Sequence, residues 1–152
     1  MHKVVISDTS CFIILSNINE LDLLKQVYGK VFTTPEVVLE FGDKLPEWVE
    51  PLTAKDTHKQ KLLEMQVDLG EASAIALAME FDNSVIVLDD YKARKIADYL
   101  GLKVVGTIGI ILKAKQLGHI SSIKPILEKI STTNFRISKE IEQEALKLAG
   151  EK

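Results

Sequence analysis

The chain has 152 residues, a length that suits one folded domain with a sizeable buried core. Its hydrophobic content of 46% and charged content of 27% are ordinary for a globular protein, and its net charge of −3 argues against tight nucleic-acid binding through a broad basic surface. The single cysteine, Cys11, excludes an intramolecular disulfide, and its apolar neighbours indicate a buried small residue, not a nucleophile. Without a signal-peptide pattern or a membrane-length apolar run, we expect a cytoplasmic protein with no membrane partner.

The first predicted element is a short apolar strand over residues 3–7, which Asp8 follows directly. Asp8 suits the N-cap of a helix that continues through Leu15, so a capping role and a functional role are both open at this position. An amphipathic helix is predicted over residues 20–28, because its apolar residues recur at helical spacing. A second strand is predicted over residues 30–33.

Thr34 and Pro35 predict the start of the next helix, as its N-cap and its first helical residue. Glu40 lies beside the apolar stripe of this helix, where an unpaired carboxylate is partly desolvated, but a solvated Glu at the edge of the stripe explains the pattern more simply. The prolines within residues 46–51 indicate a loop or a short excursion, and residues 56–66 indicate a surface helix.

An Ala-rich helix is predicted from Asp68 to about Phe81. Asp68 and Glu71 have the spacing of a capping box, in which the two side chains satisfy backbone N–H groups at the start of a helix. Glu71 therefore has a structural explanation as well as a functional one.

A strand predicted over residues 85–88 ends in two adjacent carboxylates, Asp89 and Asp90. One carboxylate would suffice to cap the helix that continues to about Leu100, and Arg94 has the spacing to pair with Asp90. Two neighbouring carboxylates repel each other and raise one pKa unless a cation offsets the repulsion.

The remaining chain predicts a strand over residues 103–105, a helix that begins near Thr107, and helices over residues 123–130 and 139–148. Thr107 either caps its helix or hydrogen-bonds a neighbour of the acidic residues. The four predicted strands, each followed by a helix, indicate a parallel sheet covered on both faces.

Several acidic residues follow strands or start helices, and the carboxyl ends of parallel strands share one edge of the sheet. Carboxylates gathered there need a counter-charge, and Mg²⁺ and Mn²⁺ prefer oxygen ligands of this kind. The sequence offers no Cys/His set that would suit zinc. The acidic candidates are Asp8, Glu40, Glu71, Asp89 and Asp90.

Five segments, taken in this order, resemble those of PIN-domain proteins, of the compact prokaryotic group related to VapC-type toxin ribonucleases. They are VISDTS at 5–10, PEVVLE at 35–40, LGEASAIALA at 69–78, LDDYKAR at 88–94 and GTIG at 106–109. The resemblance covers residues 3 to about 118, and the remaining residues look like the tail of the same group.

The resemblance implies an α/β fold, a three-layer α/β/α sandwich with a mostly parallel central sheet. It implies one domain over residues 1–152, with its core at 3–118 and C-terminal helices at 119–149. It also implies an endoribonuclease that hydrolyses RNA, preferentially single-stranded, with Mg²⁺ or Mn²⁺, and a toxin role with an antitoxin partner. We further expect a homodimer, because the helix over 20–28 and the last helix both carry apolar faces.

The resemblance matches Asp8 to the first acid of the family, Glu40 to the second and Glu71 to the third, and leaves the fourth open between Asp89 and Asp90. All five are catalytic candidates, and the candidate metal ligands are Asp8, Glu71, Asp89 and Asp90. The candidate contacts to substrate phosphates, which follow the acids closely, are Lys92, Arg94 and Lys95. The candidate supporting hydroxyls are those of Thr9, Ser10 and Thr107.

Two other classes of protein are alternatives: a PIN-like module without activity, and another α/β protein with an acidic site, such as a receiver domain or a phosphatase. A PIN-like binding or regulatory module that cleaves nothing would keep the fold without the activity, but the complete acidic set disfavours it. A receiver domain needs paired acids near the first strand, where only Asp8 stands. A haloacid-dehalogenase-type phosphatase needs a second Asp where this chain has Ser10.

Overall fold

A computed structural model describes residues 3–152. The strands are Val4–Ser7 (β1), Val31–Thr33 (β2), Val49–Pro51 (β3), Ser84–Val87 (β4) and Lys103–Val105 (β5). The helices are Thr9–Asn17 (α1), Asp22–Tyr28 (α2), Pro35–Phe41 (α3), Thr57–Glu64 (α4), Leu69–Ala78 (α5), Tyr91–Tyr99 (α6), Thr107–Gln116 (α7), Lys124–Ser131 (α8) and Lys139–Leu148 (α9).

The five strands form one parallel sheet in the order β3-β2-β1-β4-β5. Neighbouring residues of the central strand point to opposite faces: Val5 belongs to a core with α1, α2, α7 and α8, and Ile6 belongs to a second core with α5 and α6. Helices therefore cover both faces of the sheet, and the prediction of a three-layer α/β/α sandwich is confirmed.

The main difference from the sequence-based prediction is β3, because residues 46–51 were expected to form a loop or a short excursion. Val49, Glu50 and Pro51 instead pair in parallel with β2. Proline lacks the N–H that a central strand needs, so it is tolerated in a strand at the edge of a sheet, and β3 is an edge strand. The prolines indicated a break, whereas pairing with a strand distant in sequence decided the structure.

Several predicted helix starts are confirmed by capping hydrogen bonds. The Thr34 hydroxyl accepts from the Val37 N–H at 3.2 Å, and the Ser138 hydroxyl accepts from the Ile141 N–H at 3.1 Å. Among residues 3–152, no helix has the length and apolar character that a membrane crossing requires.

Glu151 fastens the C-terminal end of the chain to the start of α8. Its carboxylate accepts from the Lys115 ammonium at 2.8 Å, the Ser122 hydroxyl at 2.6 Å and the Ile123 N–H at 2.8 Å. These donors, Lys115 first, lower the pKa of Glu151 from 4.5 to about 2.

We expect Glu151→Gln to lower the melting temperature at neutral pH by a few degrees, because the amide loses the charge that these donors stabilise. Since the pKa is lower in the folded state, this stabilisation is complete above pH 4.5 and is lost as the pH falls towards 2. Thermal melting of the wild type and the variant from neutral pH to about pH 3 should show that the difference between their melting temperatures becomes smaller. Glu144→Gln, at an exposed position of α9, is the matched control, and an equal effect of both variants would contradict the proposed contact.

Candidate metal centre

The carboxyl ends of β1 and β4 meet the start of α5 at one edge of the sheet. The Asp8 N–H donates to the Val87 carbonyl at 3.1 Å, which ties the residue after β1 to the last residue of β4. Helix α5 packs on β1, and Gly70 in its first turn lies against the Asp8 side chain. This arrangement brings acidic residues from distant parts of the chain together.

Asp8 is only 4% exposed, and its Oδ1 atom is a buried polar atom with no hydrogen-bond partner in the described part of the chain. Asp8 occupies the N-cap position of α1 but makes no side-chain capping bond, so the capping interpretation was wrong. A buried carboxylate oxygen without a partner is unfavourable, and structures keep such a group where it has another role.

Three carboxylates converge beside this atom. One oxygen each from Asp8, Glu40 and Asp68 lie within 4.8 Å of one another. Glu40 reaches the cluster from α3, and its Oε1 accepts a hydrogen bond from the Thr9 hydroxyl at 2.7 Å. Oxygen ligands in this number and spacing fit a hard divalent cation such as Mg²⁺ or Mn²⁺.

Gly70 leaves the space in which these carboxylates approach one another. A Cβ atom built at Gly70 would lie 2.5 Å from Glu40 Oε1 and 3.2 Å from Asp8 Oδ1. Any side chain at this position would push Glu40 away from Asp8. The geometry of the cluster therefore depends on a glycine in the first turn of α5.

The family comparison agrees with this architecture, because the family model described as PIN domain matches residues 4–151. The chain belongs to the PIN-domain family. The searches of curated proteins and of solved structures gave no match. The PIN domain is a nuclease fold, and the acidic cluster at its sheet edge is a group that could bind metal.

Glu71 is the single acid of α5, and only 7% of its surface is exposed. It forms the predicted capping box, since the Asp68 carboxylate accepts from the Glu71 N–H at 2.8 Å and the Glu71 carboxylate accepts from the Asp68 N–H at 3.3 Å. Burial first, then the charge of Asp68, raises the pKa of Glu71 to about 7. In this PIN domain, Glu71 therefore caps α5 and also has a strongly raised pKa.

The electrostatics of Asp8 are similar. Burial is the main cause that raises the pKa of Asp8 to about 7, the Thr9 backbone opposes it, and the charges of Glu71, Asp68 and Glu40 add to the increase. None of the three ion pairs in residues 3–152 involves a member of this cluster. In this PIN domain, burial and neighbouring carboxylates therefore raise the pKa of Asp8 as they raise the pKa of Glu71.

The two aspartates after β4 have different surroundings. Both oxygens of Asp89 accept from Thr107, Oδ1 from its N–H at 2.8 Å and Oδ2 from its hydroxyl at 2.7 Å. Asp90 caps α6 by accepting from the Ala93 N–H at 3.0 Å, and its charge contributes to the raised pKa of Glu71. Neither aspartate belongs to the three converging carboxylates, and Asp90 is the one whose charge acts on Glu71.

Arg94 does not form the predicted ion pair with Asp90. Its Nη1 donates to the Leu88 carbonyl at 2.9 Å, and the described residues place no carboxylate oxygen within 4.0 Å of the guanidinium. The other basic candidates, Lys92 and Lys95, are exposed on α6, and the Lys95 ammonium lies 5.4 Å from the centre of the Tyr91 ring.

The three predicted hydroxyls also differ. Thr9 donates to Glu40, and Thr107 donates to Asp89. Ser10 is half-buried in α1. Two of the hydroxyls therefore hold acidic side chains in place, although Thr9 holds Glu40 and not Asp8.

Sequence reasoning missed Asp68 as a site residue, because its capping role explained it completely. The available signal was the spacing Asp68, Gly70, Glu71, which sets two acids on either side of a glycine at a helix start. An acid that caps a helix on one side can offer its second oxygen to a cation on the other. In this PIN domain, Asp68 caps α5 and also lies among the three converging carboxylates.

Proposed function

We propose that this PIN domain is a metal-dependent endoribonuclease that hydrolyses phosphodiester bonds of RNA with Mg²⁺ or Mn²⁺. Two observations carry the proposal: the buried Oδ1 of Asp8 has no hydrogen-bond partner in the described residues, and one carboxylate oxygen each from Asp8, Glu40 and Asp68 lie within 4.8 Å of one another. A divalent cation would supply the missing partner and offset the repulsion among the carboxylates.

In this proposal, Asp8, Glu40 and Asp68 hold the cation, and Glu71 and Asp90 add negative charge beside them. When bound, a divalent cation polarises a phosphodiester and activates water for its hydrolysis. Asp89 is a positioning residue: by accepting twice from Thr107, it ties the end of β4 to the start of α7. Lys92, Arg94 and Lys95 on α6 supply positive charge for the phosphates of the RNA.

A toxin role with an antitoxin partner, and a homodimer, belong to the same proposal. Apolar side chains are exposed beside Glu40 and Asp68, with Leu39 at 82% and Leu69 at 52%, which favours a protein partner there. The expected dimer face on α2 is largely covered by the chain itself, whereas α9 leaves Leu148 at 69% exposed. The support for a dimer therefore comes from α9.

Cleavage of a panel of labelled RNAs, with Mn²⁺, with Mg²⁺ and with a chelator, tests the function directly. We expect cleavage only with metal. Metal binding without cleavage of any RNA would identify the non-cleaving binding module instead.

Gly70→Ala should lose metal-dependent cleavage and keep the fold. The added methyl group displaces Glu40, while alanine in a helix is more stable than glycine by about 0.5–1 kcal/mol. The melting temperature of the variant reports the stability of the fold. Its Mn²⁺ binding and cleavage rate report the displacement of Glu40. The control is Leu69→Ala, which shortens an exposed neighbouring side chain and leaves the acids untouched. Unchanged cleavage by Gly70→Ala would contradict the proposed site.

A further inference from the structure

A cavity of about 470 Å³ lies beside Asp89, which follows β4. It is bounded by β5, α6, the start of α7 and the segment that leads into α9. We call it the side pocket. Its volume lies in the range of small-molecule binding sites. Its apolar lining consists of Val104, Val105, Ile108, Phe135, Ile137 and Ile141. The same cavity is also lined by Asp89, Arg94 and Arg136.

The end of β4 connects the side pocket with the metal centre. Asp89 lines the pocket, and Val87, two residues before it, accepts a hydrogen bond from the Asp8 N–H at 3.1 Å through its backbone carbonyl. Asp89 and Asp8 therefore follow neighbouring strands, β4 and β1, at the same edge of the sheet. The pocket is placed for a part of the substrate other than the phosphate at the acids.

Two arginines provide positive charge around this apolar space. Arg94 donates Nη1 to the Leu88 carbonyl at 2.9 Å, and Arg136 donates Nη1 to the Thr133 carbonyl at 3.1 Å. Neither is in an ion pair within residues 3–152. A guanidinium carries five N–H donors and suits phosphate geometry, so each retains donors for an anion.

Glycine at position 106 allows Arg94 to lie where it does. A Cβ atom built at Gly106 would be 2.6 Å from Arg94 Nη1 and 3.0 Å from Asp89 Oδ1. The absence of a side chain at Gly106 therefore leaves room for the Arg94 guanidinium beside the pocket. Gly70 leaves room for the carboxylates in the same way.

A basic track continues from the side pocket along the open edge of β5. An adjacent cavity of about 540 Å³ shares Tyr91 and Arg94 with the side pocket and adds two lysines, Lys95 and Lys103, and one acid, Asp98. The Tyr91 ring is 74% exposed, and such aromatic faces stack on the bases of single-stranded nucleic acids. In a chain of net charge −3, these cations are gathered beside the side pocket.

From this combination we infer that the side pocket binds the base of a nucleotide adjacent to the cleaved phosphate and gives the enzyme a base preference at that position. The inference rests on the proposed ribonuclease function. An apolar space beside unpaired arginines suits a ligand that joins a flat ring to an anion, which a nucleotide does. A purely apolar peptide would fill the space and leave the arginines without partners.

Two variants test the side pocket without touching the acids. Arg136→Ala removes an exposed cation, and Ile141→Trp fills the space from the exposed face of α9. Lys139→Ala makes the same change of charge on α9 outside the pocket and is the matched control. The shift in melting temperature with Mn²⁺ should be the same in all three variants as in the wild type, because the acids are unchanged.

The first measurement is binding of labelled five-nucleotide single-stranded RNAs by fluorescence anisotropy, without metal. We expect Arg136→Ala and Ile141→Trp each to weaken binding at least about fivefold, the lower end for the loss of one base contact, and Lys139→Ala to have a small effect. The second measurement is sequencing of the cleavage sites in a random RNA library. The wild type should show a base preference beside the cut that both variants lose.

The outcomes separate this inference from the proposed function. Normal cleavage with unchanged base preference and unchanged binding in both variants would overturn the side pocket as a nucleotide site and leave the ribonuclease standing. Absence of cleavage, with binding that still falls in both variants, would overturn the ribonuclease and support the pocket. Loss of binding to a protein partner, with RNA binding unchanged, would assign the pocket to that partner and overturn the inference.

Discussion

Asp8→Asn should reduce RNA cleavage by at least about 100-fold, the range seen when one preorganised electrostatic group is removed from an active site. Asparagine keeps the size of the side chain but removes the charge that a cation needs. The same substitution should raise the melting temperature of the metal-free protein, because it removes a buried charge with an unpartnered oxygen beside three other acids. A gain of about 1 kcal/mol corresponds to about 2–4 °C in a domain of this size.

The experiment pairs the cleavage rate at saturating Mn²⁺ with thermal melting in the presence of a chelator. Asp22→Asn makes the same chemical change at an exposed position of α2 and should alter neither quantity appreciably. Loss of activity together with increased stability distinguishes a metal ligand from a structural residue, whose removal would lower both. Cleavage by Asp8→Asn at the wild-type rate would refute the metal-dependent mechanism.

The metal-free protein should become less stable as the pH rises from 5 to 8, and Mn²⁺ should reduce or reverse this trend. The pKa values of Asp8 and Glu71 are raised in the folded protein to about 7 from 3.8 and 4.5. Their protonation therefore favours the folded state below the unfolded pKa, and this contribution is lost as the pH rises through about 7. A cation binds the ionised carboxylates and stabilises the folded state by mass action, so its effect grows over the same range.

Melting temperatures measured from pH 5 to pH 8, with and without millimolar Mn²⁺, check this expectation. The shift caused by Mn²⁺ should be several degrees larger at pH 8 than at pH 5, since a stability change of about 1 kcal/mol moves the melting temperature by about 2–4 °C. Asp8→Asn should flatten both curves. Parallel pH profiles with and without Mn²⁺ would show that the cation does not compete with protons at these carboxyl groups.

Much of the secondary structure was predictable because its causes are local. The apolar run before Asp8 and the Thr34–Pro35 helix start depend on residues next to them in the chain, and both are confirmed. The third strand was not predictable in the same way. Its three residues gain their hydrogen bonds from β2, so nothing within the segment itself marks it as a strand.

Capping shows where local reasoning works and where it misleads. The box between Asp68 and Glu71 is correct, but it hid the second relation of Asp68 to Asp8 and Glu40. At Asp8 the local interpretation suggested a cap, and the side chain instead lies buried among acids without making one. A carboxylate has two oxygens and several lone pairs, so one satisfied neighbour does not exhaust what it can bind.

The order of residues along the chain was enough to bring the acids to one edge of the sheet. Parallel strands end on the same side, and Asp8 and Asp89 follow such strands. Tertiary structure alone decided which oxygens meet there. Glu40 reaches Thr9 and Asp8 only because α3 packs against α1 and α5. Contacts of a few ångströms between helices depend on how the helices cross, and the periodicity of the sequence does not encode this crossing.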